Sequence, residues 1–323
     1  MNNSMPFALL FPGQGAQYVG MGKEIFELFP AARALYKKAD EVLDFPVSKI
    51  CFEGPENQLN LTVNAQPAIF VTSLAIWEVI KALYPDCKPT ATCGLSLGEF
   101  SALTAAGYFE FEQGLRVVRK RGEWMHEAGE RNPGAMCSVI GLDGNGCEEV
   151  AALAGVQVAN FNSPEQIVLS GNVEGIAKAM TLAKEKGAKK VIPLKVSGAF
   201  HSRLMAEAEE KLARELDQIG PTGGLQMAFI PNVLGDFLAD PGEIRFALAK
   251  QVTHSVRWTQ TVQTLHAKGF RTALEMGPGK VLKGLARRTV DDFTVHSVES
   301  AADVQSSGTV IHGLARGLDG ATV

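Results

Sequence analysis

Apolar and polar positions fall along this chain in blocks that read as an α/β protein. Phe7-Ala8-Leu9-Leu10-Phe11 is short and continuously apolar, the pattern of a strand buried on both faces of a parallel sheet. Residues 20 to 43 place apolar side chains at helical spacing and predict an amphipathic helix. From Thr62 to Tyr84 so many positions are apolar, among them Ile69, Phe70, Leu74, Trp77 and Ile80, that almost no polar face remains. That predicts a buried helix with Pro67 near its start. Leu97, Phe100, Leu103 and Thr104 again recur at helical spacing, and a further helix is predicted from Glu112 to His126. Asn132-Pro133-Gly134 breaks that pattern.

Residues 135 to 196 change character. Strands are predicted over Ala135–Leu142, Val156–Phe161, Gln166–Ser170 and Lys190–Val196, with helices over Cys147–Ala154 and Val173–Lys186. This β-α-β-β-α-β order matches the ferredoxin-like motif. Beyond it come helices over Leu204–Leu216, Glu243–Gln251 and Thr259–Ala267, and a strand near Gln226–Val233. Thr272–Met276 reads as the last buried strand, followed by a helix ending at Arg288, and from Ala301 a loosely held tail is expected. The expected architecture is α/β: an α/β-hydrolase-like large domain with a mostly parallel sheet (residues 1–133 and 198–323) and an inserted ferredoxin-like subdomain (residues 134–197).

Length and charge narrow the field. With 323 residues, 46% of them hydrophobic, the chain can bury roughly three-quarters of its unfolded surface. A net charge of −4 without a basic tail argues against nucleic acid as a partner. The five cysteines, Cys51, Cys87, Cys93, Cys137 and Cys147, form no Cys-x-x-Cys pair, which points to reduced thiols in the cytoplasm and against structural zinc. Six scattered histidines without His-Glu-x-x-His make a metal site unexpected. Met1 to Pro6 lacks a basic stretch and the following apolar run stops at Pro12, so neither a signal peptide nor a membrane span is expected.

Three loops carry candidate chemistry. Gly94-Leu95-Ser96-Leu97-Gly98 is a Gly-x-Ser-x-Gly pattern, suited to a sharp strand-to-helix turn that exposes Ser96 near a helix N-terminus. An ordinary Gly-Ser turn carries the same letters. Pro12-Gly13-Gln14-Gly15 follows the first strand and offers backbone N–H groups at its carboxyl end. A dinucleotide fingerprint fits poorly there, because Tyr18 stands where the third glycine belongs. Ser197-Gly198-Ala199-Phe200-His201-Ser202 is a glycine-containing loop with one histidine, a candidate base or a structural imidazole. Arg116, Arg119, Lys120 and Arg121 share one helix, a cluster that usually is a solvated face; Gln66 reads equally as part of a solvated first turn. Lys184, Lys186, Lys189, Lys190 and Lys195 cluster at a helix end, where cations are favoured.

Taken together, these loops match a known pattern. The matching stretches are Phe11-Pro12-Gly13-Gln14-Gly15, Ala65-Gln66-Pro67-Ala68, Gly94 to Glu99, Arg121-Gly122, Asn160 to Pro164, Phe200-His201-Ser202, Gln251, and Glu275 to Lys280. In these the chain resembles the malonyl-CoA:acyl carrier protein transacylases of fatty acid synthesis, and is similar to polyketide-synthase acyltransferase domains. The resemblance implies Ser96 as the acylated nucleophile and His201 as the general base. It implies Gln14 and Leu97 as oxyanion N–H donors, and Arg121 as the partner of the malonyl carboxylate. Gln66 and Asn162 are implied to line the pocket, and Phe200 to exclude a branched acyl group. The imidazole is implied to rest on a backbone carbonyl near Gln251 rather than on an acid. One departure stands out: the family usually carries His before the nucleophile, and this chain has Leu95.

The resemblance also implies the partners: a coenzyme A thioester and an acyl carrier protein, with no cofactor of the enzyme's own. The lysine cluster, or Arg287 and Arg288, then becomes a candidate for steering an acidic carrier. A cytoplasmic monomer is expected. Alternatives are a serine acyl or editing hydrolase of the same fold, a trans-acting polyketide acyltransferase, and a catalytically silent carrier-binding module.

Overall fold

The computed structural model describes residues 5–317. The chain opens with β1 (Phe7–Phe11) and runs through α1 (Lys23–Leu28), α2 (Pro30–Leu43), α3 (Val47–Glu53), α4 (Glu56–Leu59) and α5 (Thr62–Leu83) to β2 (Ala91–Gly94). The helices α6 (Gly98–Ala105) and α7 (Phe111–Arg131) follow. A middle block comprises β3 (Gly134–Ile140), α8 (Gly144–Ala154), β4 (Gln157–Ser163), β5 (Gln166–Asn172), α9 (Val173–Glu185) and β6 (Lys190–Pro193). A 3-10 turn at Arg203–Met205 leads into α10 (Ala206–Ile219), β7 (Ala228–Phe229), α11 (Pro241–Lys250), α12 (Trp258–Ala267), β8 (Thr272–Met276), α13 (Val281–Arg287), β9 (Thr294–Val298) and α14 (Ala301–Ala315).

The larger sheet is parallel throughout, in the order β7-β2-β1-β8-β9. Its central strand explains its own sequence. Phe7, Leu9 and Phe11 enter one core with α5, while Ala8 and Leu10 enter a second core with Trp258 and Val262 of α12 and Leu282 and Leu285 of α13. With helices on both faces, β1 has no solvent side and needs no polar residue. The helix α5 lies inside the first core. It is long and apolar enough to cross a bilayer, yet 89% of its most apolar window is buried within the protein.

The second sheet is antiparallel, in the order β4-β5-β3-β6, and packs against α8 and α9. It has its own core, built on Cys137, Val139, Leu169 and Ile176. Irregular pairing in β4 frees backbone groups that reach across to the larger body: the Phe161 N–H donates to the Val256 carbonyl at 2.9 Å, and the Val256 N–H to Ala159 at 2.8 Å.

Several expectations are corrected. The single helix over residues 20 to 43 is two, because Pro30 disfavours helical backbone at Phe29, which is extended at φ −116°, and then opens α2. The strand expected over Gln226–Val233 contracts to Ala228–Phe229. Thr272–Met276 is not the last strand: β9 pairs with it along the sheet edge, and its mixed polar composition matches its half-buried pattern. Nor is the chain after Ala301 loosely held, since Ser300 and Asp303 form a reciprocal capping box and α14 buries Val304, Val310, Ile311 and Leu314. That expectation for residues beyond 317 lies outside the described residues. Small residues, including Gly308 and Gly313, gave this helix its loop-like look.

Because Ile311 is 1% exposed in the main core, Ile311→Ala should lower unfolding stability by about 2–4 kcal/mol. Urea denaturation checks this; a loss of only a few tenths would mean the helix is peripheral to the core.

Candidate active site

The parallel sheet delivers two loops to one place. Phe11 of β1 pairs in register with Gly94 of β2, so the Gly13–Gly15 loop and the Ser96 turn leave the sheet side by side at its carboxyl edge. The turn is very tight. A Cβ on Gly94 would lie 2.0 Å from the carbonyl carbon of Gly98, and one on Gly98 would lie 2.1 Å from the carbonyl oxygen of Phe11. Any larger residue at either position would push the helix off the strand. Between them Ser96 adopts φ 53°, a left-handed conformation that costs a non-glycine residue roughly 1–3 kcal/mol.

Side chains from two distant loops hold that conformation. The Ser96 N–H donates to Oδ1 of Asn232 at 2.7 Å, and Nδ2 of Asn232 donates to the Gly94 carbonyl at 2.6 Å. On the other side, Nε2 of Gln251 donates to the Ser96 carbonyl at 2.8 Å. Both peptide groups of the serine are thus clamped.

His201 arrives on the loop between β6 and the 3-10 turn, its N–H donating to the Val252 carbonyl at 3.1 Å. Its Nε2 stands 2.9 Å from Ser96 Oγ, and its Nδ1 2.7 Å from the Gln251 carbonyl. A carbonyl can only accept, so Nδ1 carries the proton and Nε2 offers a lone pair to the serine hydroxyl. Burial pushes the imidazole down to about 4; the hydrogen bond to Gln251 opposes this and the nearby Arg121 cation adds to it. At neutral pH the group is an uncharged base.

Arg116, Arg119 and Arg121 of α7, indistinguishable by helical spacing, separate cleanly. Arg116 is exposed, and Arg119 pairs with Glu123 at 2.7 Å and donates to the Val63 carbonyl at 2.8 Å. Arg121 is 1% exposed and faces inward. Its Nη1 donates to Oε1 of Gln66 at 2.6 Å, and its Nη2 to Oε1 of Gln251 at 2.8 Å and to Ser96 Oγ at 3.1 Å. A Cβ on Gly122 would lie 3.0 Å from the Thr62 carbonyl oxygen, so this glycine lets α7 lie close against α5 and brings Arg121 to Gln66. Every acceptor on the guanidinium is neutral, and among the described residues its buried Nε has no partner. Burial lowers its pKa to about 10, with the Glu99 carboxylate opposing. A desolvated cation with spare N–H groups, 3.1 Å from a serine hydroxyl, has the chemistry to receive a carboxylate.

These groups open into a cavity of about 600 Å³ whose wall includes Gln14, Leu97, Asn162, Phe200, Leu95 and Val196. Among the described residues, neither the Gln14 nor the Leu97 backbone N–H donates to a loop or turn carbonyl. Oδ1 of Asn162 is buried without a partner there. Gln66 lies fully inside against Arg121 rather than in a solvated turn. Of the lysine cluster, Lys195 lines the cavity, whereas Lys186 and Lys189 pair with Glu149 at 2.6 Å and Glu165 at 3.1 Å. Asn232 and Glu99, both fully buried, were missed as site residues. The available signal was a charged side chain at the first turn of an otherwise apolar helix, and a lone amide closing the Ile230-Pro231 run.

Such an arrangement suits acyl transfer, and comparison agrees: the chain belongs to the acyl transferase domain family, whose model matches residues 8–320. Within that family it is similar to the malonyl CoA-acyl carrier protein transacylase of Bacillus subtilis, at 44% identity over 286 residues, covering 87% of this chain and 89% of the relative. Its structure is similar to the acyl-carrier-protein S-malonyltransferase of Bartonella henselae, with a TM-score of 0.92 and 39% identity, covering 95% of this chain and all of the other. It also resembles a malonyl-transacylase solved in complex with a type II polyketide-synthase acyl-carrier protein, with a TM-score of 0.89 and 38% identity, covering 94% of this chain and 98% of that one.

The buried imidazole gives a pH prediction. Its pKa is about 4 in the fold against 6.5 in the unfolded chain, so between those values the unfolded state holds more protons. Stability from this group is therefore complete above pH 6.5 and declines as pH falls toward 4, by up to roughly 3 kcal/mol. Urea unfolding at several pH values should show that the wild type loses this increment and His201→Gln does not. Parallel pH curves for the two proteins would contradict it.

Proposed function

We propose that this protein moves a malonyl group from coenzyme A to the phosphopantetheine thiol of an acyl carrier protein, through a malonyl ester on Ser96. The observation that carries this reading is the placement of Ser96 Oγ, 2.9 Å from His201 Nε2 and 3.1 Å from the buried guanidinium of Arg121. One hydroxyl faces both a base and an anion receptor, as a carboxylated acyl donor requires.

The chemistry follows from those positions. Arg121 takes the malonyl carboxylate, exchanging its contact with the serine hydroxyl for a charge-assisted pair in a dry site. Ser96 Oγ attacks the thioester carbonyl as its proton passes to His201 Nε2, and the Gln251 carbonyl steadies the resulting imidazolium through Nδ1. The Gln14 and Leu97 N–H groups receive the oxyanion at the positive end of α6. Collapse breaks the C–S bond, and the coenzyme A sulfur leaves with the proton from Nε2. The carrier thiol then gives its proton to His201, attacks the ester carbonyl and displaces Ser96, regenerating the hydroxyl. Gln66 and Gln251 hold Arg121 in place, while Asn162 and Phe200 shape the wall around the acyl group.

The hydrolase alternative is not favoured: the pocket's cation matches a carboxylated acyl group, and the relatives above are named as transacylases or malonyltransferases. We divide the chain into a catalytic body of residues 1–133 and 198–323 and an inserted subdomain of residues 134–197, a division supported by the latter's separate core. Five free, buried thiols support a reducing cytoplasmic setting. The reading calls on no cofactor and no metal. It takes the protein as a monomer that meets neither nucleic acid nor membrane.

Intact-mass spectrometry tests the nucleophile. Malonyl-CoA should add one malonyl group to the wild type and none to Ser96→Ala, and His201→Ala should slow acylation by about 10²–10⁴-fold. A full adduct on Ser96→Ala would move the nucleophile elsewhere.

Acyl choice tests Arg121. In Arg121→Ala, kcat/KM for malonyl-CoA should fall by several orders of magnitude while that for acetyl-CoA holds or rises. Arg121→Lys should rescue poorly, because a point charge cannot replace the planar fork. Equal loss of both activities would make Arg121 structural only.

A further inference from the structure

Glu99 stands directly behind the reacting groups. It lies on α6 three residues after Ser96, is completely buried, and has no part in the chemistry above. Its Oε1 accepts the backbone N–H of Asn232 and its Oε2 accepts Nε2 of Gln251. Those two residues are the clamps on Ser96, one on its N–H and one on its carbonyl. Gln251 also turns its Oε1 to Nη2 of Arg121. The amide cannot be reversed, since its NH₂ meets two acceptors and its oxygen meets a guanidinium. A carboxylate–amide–guanidinium chain therefore runs from Glu99 through Gln251 to Arg121.

The residue type matters. Two donors converge on two oxygens, and an ionised carboxylate satisfies both. A glutamine at this position would aim its own NH₂ at one of them. Among the described residues, Glu99 is the acid whose charge acts on Arg121, and the three hydrogen-bond acceptors around the guanidinium are neutral.

We propose that Glu99 is a positioning residue that tunes malonyl selectivity: it is the built-in counter-charge of Arg121, relayed by the Gln251 amide, against which the substrate carboxylate competes. This rests on the reading of Arg121 given above. The sign follows from electrostatics. An ionised Glu99 already offsets part of the guanidinium charge, so an incoming malonyl carboxylate becomes a second anion near one cation, and like charges in a dry site repel. Acetyl has no charge and feels none of this. Neutralising Glu99 should raise malonyl preference. Losing its two hydrogen bonds should loosen Ser96 and Gln251 and lower kcat for both acyl groups.

The same competition gives a pH dependence. Burial pushes Glu99 up to about 8, with its two hydrogen bonds and Arg121 opposing. The titratable groups facing it are Arg121 from α7, lowered to about 10, and the Cys93 thiol from β2, raised far above its usual range by burial. His201, beyond Gln251, is neutral above pH 5. The partners from the two later loops, Asn232 and Gln251, do not titrate. Between pH 6 and 9 Glu99 is therefore the group in this cluster that changes charge.

The test is the ratio of kcat/KM for malonyl-CoA to that for acetyl-CoA, with holo acyl carrier protein as acceptor, from pH 6 to 9 in wild type, E99Q and E99D. The wild-type ratio should fall by roughly tenfold as Glu99 ionises, the scale of one neighbouring like charge. E99Q should show lower kcat for both donors and a pH-independent ratio at or above the wild-type value at pH 6. E99D keeps a carboxylate and should keep the fall. A flat wild-type ratio, or a slope that persists in E99Q, overturns the proposal. Should E99Q fail to fold, the wild-type and E99D slopes decide it in the same way. Failure of the functional reading looks different: malonyl-CoA would leave no adduct on Ser96, or Arg121→Ala would leave the ratio unchanged.

Discussion

A guanidinium held wholly out of water is the constraint on which this structure depends. Isolated in a medium of low polarity, such a charge is expensive to bury, and removing its partners is more expensive than replacing the whole group. Arg121 is kept by the oxygens of Gln66, Gln251 and Ser96, each on a different element, and by the face of Phe100 with its ring centre 5.6 Å away. None of these fully compensates a positive charge. No direct hydrogen-bond partner of the guanidinium is an anion, and Glu99 reaches it only through the Gln251 amide, which suits the site to a carboxylated acyl group.

Gln251 ties this charge to the geometry of the nucleophile. Its oxygen meets Arg121, its nitrogen meets Ser96 and Glu99, and its backbone carbonyl meets His201. A displacement of this one residue would disturb the cation, the strained elbow and the base together. The loop that follows it also carries Val256, whose backbone pairs with the irregular part of β4. The smaller sheet is thus tied by backbone hydrogen bonds to the loop that carries Gln251, and its Asn160 and Asn162 stand in the cavity wall.

How much of this was legible in the sequence depended on distance along the chain. The buried strand β1, the helix α5 and the glycines of the elbow announce themselves locally, because periodicity and close approach act over a few residues. The order of the middle block was equally readable, since its short runs are separated by Gly155, Asn162-Ser163-Pro164 and Gly187. The edge strand β9 was not, because it is only half-buried and Thr294, His296 and Ser297 weaken its apolar pattern. The helix α14 was passed over because its small residues serve packing. In the candidate site, motif resemblance singled out Ser96, His201 and Arg121, which the fold brings together, but composition and spacing alone left Arg121 tied with Arg116 and Arg119. Asn232 and Glu99 escaped because their function exists only once residues more than a hundred positions apart meet.

The absence of an acid behind His201 follows from the same electrostatics. In a hydrolase-type triad a carboxylate orients the imidazole and stabilises its protonated form. Here a carboxylate at the position of the Gln251 carbonyl would place a second anion, besides Glu99, near the buried guanidinium and would compete with a carboxylated acyl group for it. A neutral carbonyl fixes the tautomer equally well, at 2.7 Å, without neutralising Arg121. The imidazole is a weaker base in consequence, held near 4 by burial. Nearby, Leu95 takes part in the turn through its backbone. Its backbone anchors the turn at both ends, the N–H donating to Phe11 and the carbonyl accepting from Gly98, each at 3.0 Å, while its side chain packs against the second core. The hydrogen bonds that join Ser96, His201 and Gln251 do not include that side chain, which contributes an apolar patch to the wall of the cavity.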